Sequence, residues 1–237
     1  MAFIECNMRS SGMEIETSVW VTLPQNRVQG ILYLLHDNGK NHTYFNRNIS
    51  LESLCDKYQV AAVVPDMDVS CCLDLCYGDA YYTFLRDELP DMMEQYFGIS
   101  RQERTRVAGV GTGGYGAFHL VCDEKSNVTS AASISGIMDI RNYLQRQETM
   151  KIRRNYEAAL IGNKNREEWD LVSLVENNSG LMNKKLIQYV REDELIDENR
   201  TFYEYIKTLG IYAELVTCSV KQKDQYIESV LEEFLQK

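Results

Sequence analysis

The sequence predicts an α/β domain: a mostly parallel central sheet with antiparallel N-terminal strands and helices on both faces. Three observations carry this prediction. Short, continuous apolar runs alternate with stretches of helical spacing, as in a parallel sheet covered on both sides. Before them, the chain opens with two segments in which polar and apolar residues alternate, the pattern of strands half-exposed to water. The third observation is "RVAGVGTGGYGAFHL", Arg106 to Leu120, where an apolar run passes directly into glycine-rich helical sequence.

Taken in order, Phe3 to Met8 and Ile15 to Leu23 read as an antiparallel pair turning near Ser11-Gly12. "GILYLLHD" (Gly30 to Asp37) is a strand buried on both faces, followed by helical "SLESLCDKY" with Ser50 as its N-cap. "VAAVVPD" (Val60 to Asp66) is the next strand. Asp79 to Phe97 reads as one long helix that Pro90 kinks or divides. "RTRVAGVG" (Arg104 to Gly111) is the fifth strand and runs into a helix over Gly113 to Cys122. Strands at Thr129 to Gly136, Lys184 to Val190 and Tyr212 to Cys218 follow, with helices over Glu198 to Thr208 and Asp224 to Lys237. Between Asp139 and Gly180 the strand rhythm stops, which predicts a helical excursion shaping the mouth of a pocket. The chain is read as a single domain, 1–237, with residues 139–180 as a cap.

Bulk properties exclude several classes of function. A chain of 237 residues buries enough surface to need no staples. Its net charge of −10 and the lack of a basic stripe argue against a nucleic-acid partner. No 18-residue apolar run occurs, and "MAFIECNMRSSG" has no signal-peptide core, so no membrane partner and a cytoplasmic location are expected. Seven cysteines, an odd number, then read as free thiols. Cys71, Cys72 and Cys76 lie close together, but adjacent cysteines ligate one metal ion poorly, and no metal is expected there.

The glycine-rich segment has two readings. Gly109, Gly111 and Gly114 match G-x-G-x-x-G, the dinucleotide phosphate loop, which would make the chain an oxidoreductase. That motif belongs after the first strand of its unit and needs a carboxylate about 20 residues on. Here it follows the fifth strand, and Thr129 to Ser133 offers no acid. The other reading is a strand–turn–helix elbow of the kind that carries a nucleophile, with glycine in the nucleophile's place.

Around this elbow the chain resembles the α/β-hydrolase family that includes tributyrin esterase, esterase D (S-formylglutathione hydrolase) and bacterial cinnamoyl esterases. The resemblance covers nearly the whole chain through "SVWVTLP", "ILYLLHDNGKNH", "VAAVVPD", "YGDAYYTFLRDELP", "FGIS", "GVGTGGYGAFHL", "AASISGIMDI" and "REDELIDENRTF". It implies the α/β-hydrolase fold and a serine–histidine–aspartate esterase acting on short acyl esters or thioesters, with no cofactor. By the resemblance the nucleophile position falls on Gly111, the acid on Asp193 and the histidine on Cys218. No histidine follows His119, so the family's base is missing however the last loop aligns. The family's Leu-Leu-His-Gly reads His36-Asp37 here, which places Asp37 at an oxyanion-hole position, with Thr112 supplying the other backbone N–H.

Gly111 has no side chain to attack with, and a thiol at Cys218 does not serve as an imidazole does. Loss of the nucleophile from a triad enzyme costs about 10⁶ in turnover. The expectation is therefore a degenerate triad: an inactive pseudo-esterase keeping a small acyl or aromatic ligand or a protein partner, with homo-oligomers allowed. Its rivals are an active hydrolase rebuilt around Cys218, Thr112 or a water held by Asp193, and a structural subunit whose pocket has filled. Thr112 as nucleophile lacks an evident base, and Asp193 beside Cys218 would suppress the thiolate. His36 is read as structural, His42 as bonded within its loop, and His119 as facing the core.

Overall fold

The computed structural model describes residues 1–100, 104–191, 195–218 and 223–237. Eight strands form one sheet in the order β1-β2-β4-β3-β5-β6-β7-β8. They are β1 (Ala2–Arg9), β2 (Glu16–Leu23), β3 (Gly30–Leu35), β4 (Val60–Pro65), β5 (Arg104–Val110), β6 (Ser130–Ile134), β7 (Lys185–Arg191) and β8 (Ala213–Cys218). β2 pairs antiparallel with both β1 and β4, and every other pairing is parallel. All eight strands coincide with the apolar or alternating runs of the sequence.

The strands in the middle of the sheet are apolar throughout because they feed two cores. Along β3, Ile31, Tyr33 and Leu35 enter one core, and Leu32 and Leu34 enter the other. Helices α1 (Tyr44–Asn48), α2 (Leu51–Tyr58) and α10 (Lys223–Gln236) contribute to the second core. The first core takes residues from α3 (Tyr81–Thr83), a π-helical segment (Phe84–Glu88), α4 (Leu89–Phe97) and α5 (Thr112–Cys122). Residues 139–180 fold into α6 (Ile140–Thr149), α7 (Tyr156–Leu160), a 3₁₀ turn (Arg166–Glu168) and α8 (Leu171–Asn177), with a further 3₁₀ turn at Ser179–Asn183. Ile140, Leu144, Tyr156, Trp169 and Leu171 of this stretch pack into the same first core. Helix α9 (Ile196–Thr208) follows β7. Among the described residues, no helix is long and apolar enough to cross a membrane.

Two local details refine the expectations. Ser50 is the N-cap residue of α2, but its side chain makes no capping bond; its Oγ bonds Ser53 Oγ at 3.0 Å, and its N–H donates to Glu228 Oε1 at 3.2 Å. Around Pro90 the helical run changes type rather than continuing as one α-helix: the π-helical segment Phe84–Glu88 gives way to α4, which holds the proline in its first turn.

One close approach fixes the position of α5. A Cβ on Gly113 would lie 2.1 Å from the Leu35 carbonyl oxygen, so only glycine lets the helix start this near the end of β3. The elbow and the loop after β3 are thereby pressed together. Every residue of α5 is buried, which explains its lack of a polar face.

Candidate functional site

The turn between β5 and α5 is a sharp elbow. Gly111 has φ 59° and ψ −118°, a backbone conformation nearly closed to residues with a Cβ. Its N–H donates to the Ile134 carbonyl at 3.1 Å, and its carbonyl accepts from Ile137 N–H at 3.2 Å, which ties the elbow to β6 and the loop beyond it. The glycines that matched a phosphate loop are spent on packing instead. A Cβ on Gly109 would meet the Gly113 carbonyl, and one on Gly114 would meet Ser133 Oγ. The dinucleotide reading therefore loses its geometric basis.

The side chain of Asp37 lies against this elbow. A Cβ built on Gly111 would fall 2.3 Å from Asp37 Oδ1 and 2.4 Å from its Cγ, inside the carboxylate. Asp37 Oδ1 accepts hydrogen bonds from the Asn38 N–H at 2.9 Å, the Thr112 N–H at 3.0 Å and the Thr112 hydroxyl at 3.1 Å. Two backbone amides thus converge on one anionic oxygen beside the elbow. The structure brings together Asp37 and Thr112, the two residues expected at oxyanion-hole positions, and adds the Asn38 amide from the loop after β3.

Thr112 is 1% exposed, and its hydroxyl both donates to Asp37 and accepts from the Asn38 N–H at 3.0 Å. It does have a carboxylate within reach, contrary to the expectation that no base is near. Cys218 closes β8 opposite Arg191 of β7. Burial raises the pKa of its thiol first, and Glu233 raises it further, whereas the sequence pointed to Asp193. Asp193 itself lies outside the described residues, so no triad geometry is assigned.

Sequence reasoning missed Asn38 and its partners. The Asn38 Nδ2 lies 2.6 Å from the Tyr156 hydroxyl, 3.1 Å from the Tyr143 hydroxyl and 3.3 Å from Cys71 Sγ. Tyr156 in turn donates to the Val69 carbonyl at 2.7 Å. These bonds pin α6 and α7 over the loop after β3. Burial pushes the Cys71 thiol up to about 11 despite its two hydrogen bonds, so it stays protonated. A lone asparagine in a loop and two tyrosines more than a hundred residues on leave no pattern in sequence.

The three histidines are held by other groups. The Met67 N–H donates to His36 Nε2 at 2.9 Å, which leaves Nδ1–H to donate to the Asp37 carbonyl at 3.0 Å; both nitrogens thus fix backbone around the site. His42 lies 3.2 Å from Asp66 and 3.0 Å from Glu5, outside the loop in which it was expected to bond. His119 is buried and stacked on Tyr82 with ring centroids 4.0 Å apart. Desolvation lowers its pKa to about 4, so it is neutral at physiological pH.

A cavity of about 150 Å³ opens beside the elbow, lined by Asp37, Gly111, Ser135, Tyr143, Arg191 and Tyr226 together with aliphatic side chains. Cavities of about 580, 670 and 790 Å³ elsewhere are larger, but none has Gly111 or Asp37 in its lining.

Residues 10–187 match the family model described as "Putative esterase". The chain belongs to this esterase family. A relative within reach by sequence is an acetyl esterase of Caldicellulosiruptor saccharolyticus, 23% identical over 234 residues, covering 89% of this chain and 88% of the relative. Among solved structures, the substrate-bound fluorophosphonate-binding serine hydrolase FphF of Staphylococcus aureus superposes with a TM-score of 0.87 at 21% identity, covering 99% of this chain and 97% of that one. The S-formylglutathione hydrolase FrmB of the same organism gives a TM-score of 0.84 at 20% identity, over 99% and 97% of the two chains. At these identities the structural likeness establishes the α/β-hydrolase fold alone, and leaves the chemistry of this esterase-family member to its own residues.

Proposed function

We propose that this chain is a pseudo-esterase: an esterase-family scaffold that has lost serine-based ester hydrolysis and retains its pocket for binding. One observation carries the reading. Where a nucleophile's side chain would stand, the elbow has Gly111, and the space is taken by a carboxylate that also occupies both backbone donors of the oxyanion hole. An acyl substrate entering here would meet no attacking group. Its developing oxyanion would compete with Asp37 for the same N–H groups, at a site where removal of even one such donor costs about 10²–10³ in turnover. The family resemblance, which puts Cys218 at the base position, adds a second missing part.

A rival reading is favoured by one distance, the 3.1 Å between the Thr112 hydroxyl and Asp37 Oδ1, which could pair a nucleophile with a base. Against it, Thr112 is almost wholly buried and its target's oxyanion would have nowhere to sit. The experiment is hydrolysis of a short-chain chromogenic ester by the wild type, Thr112→Val and Cys218→Ala. The expected result is no rate above buffer for any of the three. Wild-type turnover abolished by either substitution would overturn the pseudo-esterase reading and identify the replacement nucleophile.

A further inference from the structure

The arrangement of Asp37 changes what the pocket is suited to hold. All three hydrogen bonds to its side chain go to Oδ1. Among the described residues Oδ2 accepts no hydrogen bond, and the carboxylate forms no salt bridge. Asp37 nevertheless lines the cavity beside the elbow. The carboxylate is thus held through Oδ1 at the start of α5, and Oδ2 is left to accept from a ligand.

We infer that the pocket beside Gly111 is a binding site for a small primary ammonium ion on a short aliphatic chain, seated on Asp37 Oδ2. The inference deepens the reading of this pocket as a binding site and rests on it. An alkylammonium group has three N–H donors, and the lining offers matching acceptors: the free carboxylate oxygen and the hydroxyls of Ser135 and Tyr143. The alkyl chain would lie against Ile134, Ile137 and Ile227. Arg191 is the other charged group in the lining, and it is not without a partner. The cavity's 150 Å³ is below the roughly 300 Å³ at which drug-sized pockets begin, which restricts the ligand to a few carbon atoms. In the serine esterases that the family resemblance describes, the same location receives a developing anion. In this chain its polarity is reversed.

The test is titration of the protein with n-butylammonium chloride, n-butanol and sodium butyrate, followed by ligand-observed NMR. These probes share a chain length and differ in charge. The wild type is expected to bind the ammonium ion saturably, with the alcohol at least about tenfold weaker and butyrate weaker still. Asp37→Asn should weaken ammonium binding by about tenfold or more, while Glu94→Gln, which removes an exposed carboxylate, should leave it unchanged. The comparison of the three probes on the wild type stands even if Asp37→Asn folds poorly. The inference is overturned if the ammonium ion shows no saturable binding at millimolar concentration, if the alcohol or butyrate binds as well, or if a folded Asp37→Asn retains the affinity. Ester turnover by the wild type would instead undo the pseudo-esterase reading and leave this titration to be judged on its own result.

Discussion

The triple variant Gly111→Ser/Asp37→Gly/Cys218→His is expected to hydrolyse a short-chain chromogenic ester, while Gly111→Ser/Cys218→His stays at the buffer rate. Restoring only the nucleophile and base would place a serine Cβ 2.3 Å from Asp37 Oδ1, so either the serine or the carboxylate must leave its position. Even a displaced carboxylate would remain beside the N–H groups of Asn38 and Thr112 and repel the oxyanion that they should stabilise. Glycine at position 37 clears the space and frees both donors. The expected gain of the triple over the double variant is on the order of 10²-fold or more, the usual effect of an oxyanion-hole donor. Equal rates for the two variants would mean that Asp37 does not obstruct the site.

The second large effect is on stability and needs no catalysis. Gly111→Ala should destabilise the protein by about 2–6 kcal/mol, from two sources. A Cβ at φ 59°, ψ −118° brings backbone strain of about 1–3 kcal/mol. It also expels the Asp37 carboxylate, leaving two amides and a hydroxyl without their charged acceptor, a loss of about 1–3 kcal/mol. In an Asp37→Gly background only the strain remains. Chemical denaturation of the four proteins in this cycle should therefore give a coupling of about 1–3 kcal/mol, with alanine tolerated better when Asp37 is absent. A coupling near zero would show that the carboxylate and the elbow do not share the space. The cycle also bears on how the chain came to tolerate glycine here. With no Cβ at position 111 the elbow is relieved of strain, and the freed volume lets a carboxylate satisfy donors that would otherwise be buried without a partner.

The sheet was legible because its strands sit between two cores. β3 and β4 are buried at every position, so apolar runs marked them without ambiguity, and the polar alternation of β1 and β2 marked the exposed edge. The elbow was legible because Gly111 and Gly113 answer local backbone constraints that only glycine meets. The contact of Asp37 with the elbow was only half legible. Asp37 stood out against the family's glycine, but its side chain reaches the Thr112 amide only because α5 packs on β3, a contact between residues more than seventy positions apart. Asn38, Tyr143 and Tyr156 were illegible for the same reason: each matters through a partner distant in sequence. His42 misled because Glu5 and Asp66, its actual partners, come from β1 and from the residue after β4.

The central claim is that an internal carboxylate holds the oxyanion hole, and the most direct measurement is binding of a short alkylphosphonate to the wild type and to Asp37→Gly. A tetrahedral anion seeks the same two N–H donors that Asp37 occupies. Asp37→Gly is expected to bind it at least about tenfold more tightly than the wild type, whose hole is already filled. Equal affinity for the two proteins would contradict it, because the hole would then be open with Asp37 in place.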